Sequence, residues 1–231
     1  MPDHPPPTIS VIIPTLNEAL HLSRTLASVQ AAQATEVIVV DGGSQDRTVA
    51  IAQAAGVQVL VSPPGRAQQM NQGAQAATAE ILLFLHADTC LPPGFEHRVQ
   101  ATLHDPRVIA GAFELQIESD QPGISWVEWG VKLRSRLLHL PYGDQAIFLR
   151  QATFAALQGW PDMPIMEDVV LVRRLAQRGL IAIVPAAVTT SGRRWQRLGI
   201  LRTTLINQLI LLGFYAGIPP QTLKSWYRQQ R

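Results

Sequence analysis

Short β-branched or aliphatic runs alternate with stretches of helical spacing through the first hundred residues, and few folds accommodate that alternation. Residues 8–13 (Thr-Ile-Ser-Val-Ile-Ile) predict a strand closed by Pro14, and residues 18–33 carry Leu22, Leu26 and Val29 at helical spacing. The unit recurs, with strands at 36–40, 57–61 and 80–85 and helices at about 46–55, 66–77 and 93–104. Such alternation predicts a mostly parallel sheet flanked by helices on right-handed crossovers, an α/β nucleotide-binding fold. After residue 105 the rhythm changes, and the sheet is expected to become mixed. A strand near 108–117 is followed by a helical pattern over 123–139, a short strand near 145–150 and helices near 151–157 and 167–178. An apolar strand at 180–184, an extended stretch to Arg194 and a helical tail over 196–216 complete the pattern, with Pro219 and Pro220 ahead of a last short helix.

Buried parallel strands present polar side chains at their carboxyl ends, where an α/β sheet opens a ligand crevice. Asp41 ends the run Val37–Val40 and Asp88 follows Ile81–Leu85, so both are expected there. Asp168, in Met166-Glu167-Asp168, stands just before a helical pattern.

Three segments in order, Val11-Ile12-Ile13-Pro14-Thr15-Leu16-Asn17-Glu18, Val39-Val40-Asp41-Gly42-Gly43-Ser44-Gln45-Asp46-Arg47-Thr48 and Phe84-Leu85-His86-Ala87-Asp88-Thr89, resemble the opening motifs of family 2 glycosyltransferases, which have the GT-A fold. Met166-Glu167-Asp168 resembles the element that carries the catalytic base in that family, and Ser191-Gly192-Arg193-Arg194-Trp195 resembles its late basic-aromatic motif. The resemblance spans about residues 8–195, which implies a catalytic domain over 1–195 and a basic, apolar helical extension over 196–231. The segment Gly65–Ala74 and Gly143-Asp144-Gln145 are similar to a small bacterial subgroup whose members are often labelled carotenoid-acid glycosyltransferases.

The resemblance implies an inverting transferase that moves a sugar from a nucleoside-diphosphate donor, UDP rather than GDP, to an acceptor hydroxyl or carboxyl. Pro14, Thr15, Glu18, Asp41 and Arg66 inherit nucleotide contacts, with free N–H groups expected where the Pro14–Glu18 turn opens a helix. Other readings are a first-turn helix charge for Glu18, a turn residue for Asp41 and a helix cap for Asp46. Asp88 is the expected ligand of a divalent cation, Mn2+ or Mg2+, that neutralises the leaving diphosphate. Relatives carry Asp-x-Asp there; His86 replaces the first carboxylate and either reaches the metal, which suits Mn2+ better than Mg2+, or only packs. Asp168 is the expected base, and Glu167 orients its neighbours. Arg193 and Arg194 are expected at the diphosphate and Trp195 as an apolar wall, the other reading being a solvated basic turn with a packed tryptophan; Asp144 and Gln145 are expected on the acceptor side. Nucleotidyl transfer and a binding protein without turnover are the alternative functions; against the first, the glycine-rich basic signature beside the first strand is missing.

All 17 Asp and Glu lie in residues 1–168, while residues 169–231 carry 10 of the 19 Lys and Arg. An acid-free basic segment suits phosphates, in a nucleotide or in lipid headgroups. Nucleic acid is not expected, because aliphatic runs rather than stacking aromatics separate the basic residues. Leu198, Leu201, Leu205, Leu209 and Leu212 form one helical stripe, which fits a lipid acceptor and peripheral contact with the inner face of the cell membrane, packing on the domain, or a dimer interface. Trp126 and Trp129 are expected as a core stripe, the other reading being a lipid-facing surface. Cys90 is the only cysteine and reads as a small buried hydrophobe. With Asp3 and Pro5-Pro6-Pro7 where a signal peptide would need basic and apolar residues, a cytoplasmic location is expected.

Overall fold

The computed structural model of the chain describes residues 8–32 and 35–229. The proline-rich start, Gln33 at the end of the first expected helix, and Gln230 and Arg231 lie outside the described residues. Three strand–helix units come first: β1 (Ile9–Thr15) and α1 (Leu22–Gln30), β2 (Thr35–Asp41) and α2 (Thr48–Ala54), β3 (Gln58–Val61) and α3 (Arg66–Ala76). β4 (Ile81–Phe84) and the two-residue β5 (Thr89–Cys90) lead to α4 (Phe95–His104), β6 (Val108–Glu118) and α5 (Ile124–Leu138). A 3-10 turn at Gly143–Gln145 precedes β7 (Phe148–Arg150), α6 (Gln151–Ala156), α7 (Glu167–Ala176) and β8 (Leu180–Ser191). The chain continues through α8 (Arg193–Leu198), α9 (Ile200–Tyr215) and α10 (Pro220–Gln229).

The strands form one mixed sheet in the order β3-β2-β1-β4-β7-β6-β8-β5. β3, β2, β1 and β4 are parallel, β7 opposes both neighbours, β6 and β8 are parallel again, and β5 opposes β8. Alternate residues of each strand feed two cores, as the two-residue period of a strand requires. Ile9, Val11 and Ile13 of β1 pack with α1 and α4 on one face; Ile12 packs with α3, α6 and α7 on the other. A smaller cluster joins α9 and α10 to the start of α7 through Ile210, Leu223, Met166 and Val169.

Several expectations change. The strand expected to stop at 184 runs to Ser191, because β8 takes up Pro185 in a bulge where its pairing jumps from Phe113–Val184 to Glu114–Ala187. The tail expected over 196–216 is two helices that meet at Gly199, whose φ of +81° no helix continues, and residue 195 lies inside the first. Trp126 and Trp129 are 75% and 59% exposed instead of forming a core stripe, because Ile124, Val127 and Val131 supply the face of α5 that rests on the core. β5 has no counterpart in the sequence pattern, since two residues carry no period.

Gly111 in β6 stands opposite Phe148 of β7, and an added Cβ would lie 2.2 Å from Phe148 Cζ. The ring is fully buried and cannot retreat without opening the core it packs in. Gly111→Ala is expected to destabilise the chain by about 1–3 kcal/mol, read as a lower urea midpoint at unchanged m-value.

Candidate active site

β1, β2 and β4 are parallel neighbours, so their carboxyl ends bring Thr15, Asp41 and the Leu85–Asp88 segment to one edge of the sheet. Two loops are zipped together above that edge. Asn17 N–H donates to Ser44 Oγ (2.8 Å), Glu18 N–H to Thr48 Oγ1 (2.8 Å), and Ala19 N–H to Asp46 (3.2 Å). These N–H groups were expected to be free at a helix start; α1 begins only at Leu22 and the neighbouring loop takes them instead. Asp46 also accepts the Thr48 N–H at the start of α2 (2.9 Å), although the helix begins at Thr48 and Arg47, not Asp46, takes the N-cap position expected for it.

Asp41 is 2% exposed, and four donors hold its carboxylate: the N–H groups of Gly43 (2.9 Å) and Ser44 (2.8 Å), Ser44 Oγ (2.5 Å) and Thr15 Oγ1 (3.2 Å). Sequence reasoning missed Gln69 beneath it. This buried amide donates to the carbonyls of Thr15 (2.8 Å) and Val40 (2.7 Å), tying the ends of β1 and β2 together. Its signal was a polar residue on the side of α3 that also carries Met70 and Gly73.

Arg193, at the first position of α8, reaches across the crevice. Its guanidinium donates to both oxygens of Glu18 (2.8 and 2.5 Å) and pairs with Asp88 Oδ2 (3.1 Å). A positive group therefore stands between the residue expected to hold nucleotide and the residue expected to hold metal. Arg194 turns away and stacks over Tyr227 of α10 at 4.0 Å. Trp195, expected as a wall for sugar or acceptor, packs against the core beside α5.

Asp168 does not end a strand; it lies in the first turn of α7, behind Met166, whose φ of +69° is strained for a side chain of that size. Two backbone N–H groups aim its carboxylate, that of Gly143 at Oδ2 (3.0 Å) and that of Val169 at Oδ1 (2.8 Å). A Cβ at Gly143 would sit 3.4 Å from both Asp168 Oδ2 and His86 Nε2, so the missing side chain lets carboxylate, imidazole and turn converge. His86, Asp168, Glu167, Arg66, Gly143 and Trp160 line one narrow cleft. Arg66 Nε lies 3.3 Å from Glu167 Oε1, and that charge pair keeps the guanidinium above its ordinary value. Burial pushes Glu167 up although Arg66 pulls it down.

Burial, reinforced by Arg66, lowers the His86 imidazole to about 4, so it is neutral at pH 7 and keeps a lone pair. No cluster of three or more His, Cys, Asp or Glu able to hold a metal occurs among the described residues. Asp88 and neutral His86 nonetheless fit a cation that takes its remaining ligands from phosphate and water, and the Arg193 guanidinium on Asp88 marks where positive charge is accepted.

Gln145, expected on the acceptor side, is fully buried and braces the 3-10 turn: its amide donates to Phe113 O (2.8 Å) and its oxygen accepts from Tyr142 N–H (3.2 Å) and Arg134 (3.3 Å). Burial raises Asp144 to about 6 despite nearby Arg134, and its Oδ1 has no hydrogen-bond partner among the described residues.

The family model described as Glycosyl transferase family 2 matches residues 10–154. The chain belongs to that family. As a family 2 glycosyltransferase it is 36% identical over 87 residues to an uncharacterized glycosyltransferase of Mycobacterium tuberculosis (strain ATCC 25618 / H37Rv), covering 37% of this chain and 39% of that protein. It is 39% identical over 94 residues to a PGL/p-HBAD biosynthesis glycosyltransferase of Mycobacterium bovis (strain BCG / Pasteur 1173P2), covering 37% of each. The match thus spans less than two fifths of those relatives' length. The fold is GT-A. It superposes on S. aureus TarS 1-349 in complex with UDP-GlcNAc with a TM-score of 0.66 at 18% identity, over 80% of this chain and 59% of that one. It superposes on mannosyltransferase PcManGT from Pyrobaculum calidifontis, in complex with GDP-Man and Mn2+, with a TM-score of 0.66 at 21% identity, over 99% and 72%. For glucosyl-3-phosphoglycerate synthase from M. tuberculosis, in complex with Mn2+, UDP and glucosyl-3-phosphoglycerate, the TM-score is 0.63 at 20% identity, over 92% and 81%.

A carboxylate raised from 3.8 to about 6 binds its proton more tightly in the folded state. The protonated acid therefore favours folding fully below the unfolded value, and this contribution is lost as pH rises toward 6. Asp144→Asn is expected to be more stable than the parent at pH 8 by on the order of 1–3 kcal/mol. The gap should close by pH 4 in paired urea titrations.

Proposed function

We propose that this glycosyltransferase transfers a sugar from a nucleoside-diphosphate donor to an acceptor hydroxyl or carboxyl by a single, inverting displacement, with Asp168 as base. The observation that carries this reading is the carboxylate of Asp168, aimed by two backbone N–H groups into the cleft it shares with His86, on the same sheet edge as Asp88. Pro14, Thr15, Glu18 and Asp41 form the nucleoside side, and Asp41 meets the nucleoside by exchanging its bond from Ser44 Oγ. Uridine is favoured as the base: two of the three solved neighbours named above hold uridine nucleotides.

Asp88, with His86, would hold a divalent cation, which when bound offsets the charge that develops on the departing diphosphate. With donor and cation bound, Arg193 would be free of Asp88 and would serve the diphosphate. Arg66 supports the same charge from the other side while keeping Glu167 in place. The acceptor oxygen attacks the anomeric carbon from the face opposite the diphosphate. Its proton passes to Asp168, the anomeric carbon–oxygen bond to phosphate breaks, and the bonding pair leaves with the nucleoside diphosphate. Gly143 keeps the approach to Asp168 open, and Asp144 stands beside it on the acceptor side. A lipid-borne acceptor fits the apolar, acid-free C-terminal helices, and no helix among the described residues is long and apolar enough to cross a membrane.

Calorimetric titration with UDP and GDP, with and without Mn2+, tests the donor half; Asp88→Ala should abolish the metal-dependent part of binding. Asp168→Asn should keep nucleotide affinity and lower turnover by roughly a thousandfold or more. Full activity in that variant would remove Asp168 from the base role.

Arg193 competes with a cation for Asp88 in the unliganded protein. Arg193→Gln is therefore expected to tighten binding of Mn2+ alone by several-fold while lowering kcat with donor present. Unchanged affinity for Mn2+ alone would show that the guanidinium is no competitor.

A further inference from the structure

We propose that α5 and α9 together form a face that docks on an anionic lipid bilayer and sets the acceptor side of the Asp168 cleft next to the lipid surface. The clause about the cleft rests on the reading above; the docking does not.

Large exposed apolar side chains are not scattered over the described residues. Nine of the fourteen lie on these two helices. On α5, Trp126, Trp129, Leu133 and Leu137 recur at helical spacing, and Ile124, Val127 and Val131 on the opposite side hold the helix to the core. On α9, Leu201 (87% exposed), Leu205, Leu209 and Leu212 (63%) do the same, while Ile206 and Ile210 face inward. The helices start side by side: Gln121 donates to Gln196 O (3.3 Å), and a Cβ added at Gly123 would lie 3.8 Å from Ile200 Cδ1. Two outward stripes of this length, two tryptophans among them, exceed the apolar exposure that a soluble surface carries without a partner.

Charge selects the partner. Residues 169–231 contain no acid and 10 Lys and Arg, with Arg197 and Arg202 exposed at the start of the α9 stripe. Lys132 and Arg136 flank the α5 stripe and share a single carboxylate, Glu114, which leaves positive charge uncompensated. A second copy would bring the same positive charge against itself, whereas anionic headgroups attract it. Leucines in the acyl boundary, tryptophans at headgroup depth and basic residues around them are the composition of an interfacial helix pair.

The inner faces of the same two helices build the acceptor side. From α5, the Arg134 guanidinium lies 3.4 Å over the Tyr142 ring, next to the Gly143 N–H that holds Asp168. From α9, Ile206 and Ile210 pack with Met166 and Val169, which flank Glu167 and Asp168. A molecule anchored in the bilayer would thus meet the base with little excursion from the lipid.

Flotation of the full chain with vesicles of phosphatidylcholine, and with vesicles of phosphatidylcholine and phosphatidylglycerol in equal parts, tests the docking with no nucleotide or acceptor present. The chain is expected to float with the anionic vesicles and at least about tenfold less with the neutral ones. The pair Trp126→Ser and Trp129→Ser, and separately Leu205→Gln and Leu209→Gln, should each lower that partition about tenfold, with thermal unfolding unchanged because all four side chains are exposed. The milder pair Trp126→Phe and Trp129→Phe should keep binding and remove the vesicle-induced blue shift of tryptophan emission. Absent flotation, or flotation indifferent to both polar pairs, overturns the proposal. A dimer in light scattering that dissociates in the same variants also overturns it and assigns the face to a second copy. Loss of vesicle binding leaves donor binding untouched, so failure of this proposal and failure of the proposed reaction are separable.

Discussion

The guanidinium of Arg193 is the contact on which the crevice depends. Glu18 and Asp88 come from different loops, carry like charge and face one another across the place where a diphosphate would lie, and Arg193 bonds to both. Without a positive group between them, their like charges would repel across the crevice. The chain solves the unliganded state with its own positive group, carried by α8 from more than a hundred residues away in sequence. Arg193 stands at the first position of α8, and α8 is joined through Gly199 to α9.

The second charge balance lies deeper. Arg66 stands against Glu167, with Asp168 and Asp144 close enough to add to its field. His86 sits among these groups uncharged, because burial and Arg66 together oppose its protonation. Around this cluster the backbone rather than the side chains does the aiming. Gly143 and Val169 orient Asp168 through N–H groups, Met166 takes a left-handed conformation to start α7 at the right place, and Gln145 anchors the turn beneath. Strain accepted at such a position is offset by packing of Met166 and Val169 against α9, so the helix that carries the outward leucine stripe also steadies the turn that holds Asp168.

Much of the fold was legible in the residues themselves. The alternation of β-branched runs with helical spacing dictated a largely parallel sheet, because a strand buried on both faces must be continuously apolar and its crossover helix must be amphipathic. The same rule placed Asp41 at the end of β2 and Asp88 beyond β4, since a polar side chain is tolerated only where such a strand leaves the core. The C-terminal leucine stripe and the absence of acid after Asp168 were equally visible, being properties of composition and period alone.

Tertiary structure decided the rest, for reasons that no local pattern contains. Whether Trp126 and Trp129 face the core depends on which side of α5 meets β6, and Ile124, Val127 and Val131 win that face. Pro185 looks like the end of a strand, yet a bulge absorbs it once β6 supplies a partner. Gln69 and Gln145 are ordinary polar residues until the carbonyls of β1, β2 and β6 lie within reach of their amides. Arg193, Glu18 and Asp88 become one charge cluster only because β8 delivers α8 over the crevice, a long-range placement set by sheet order and not by spacing along the chain.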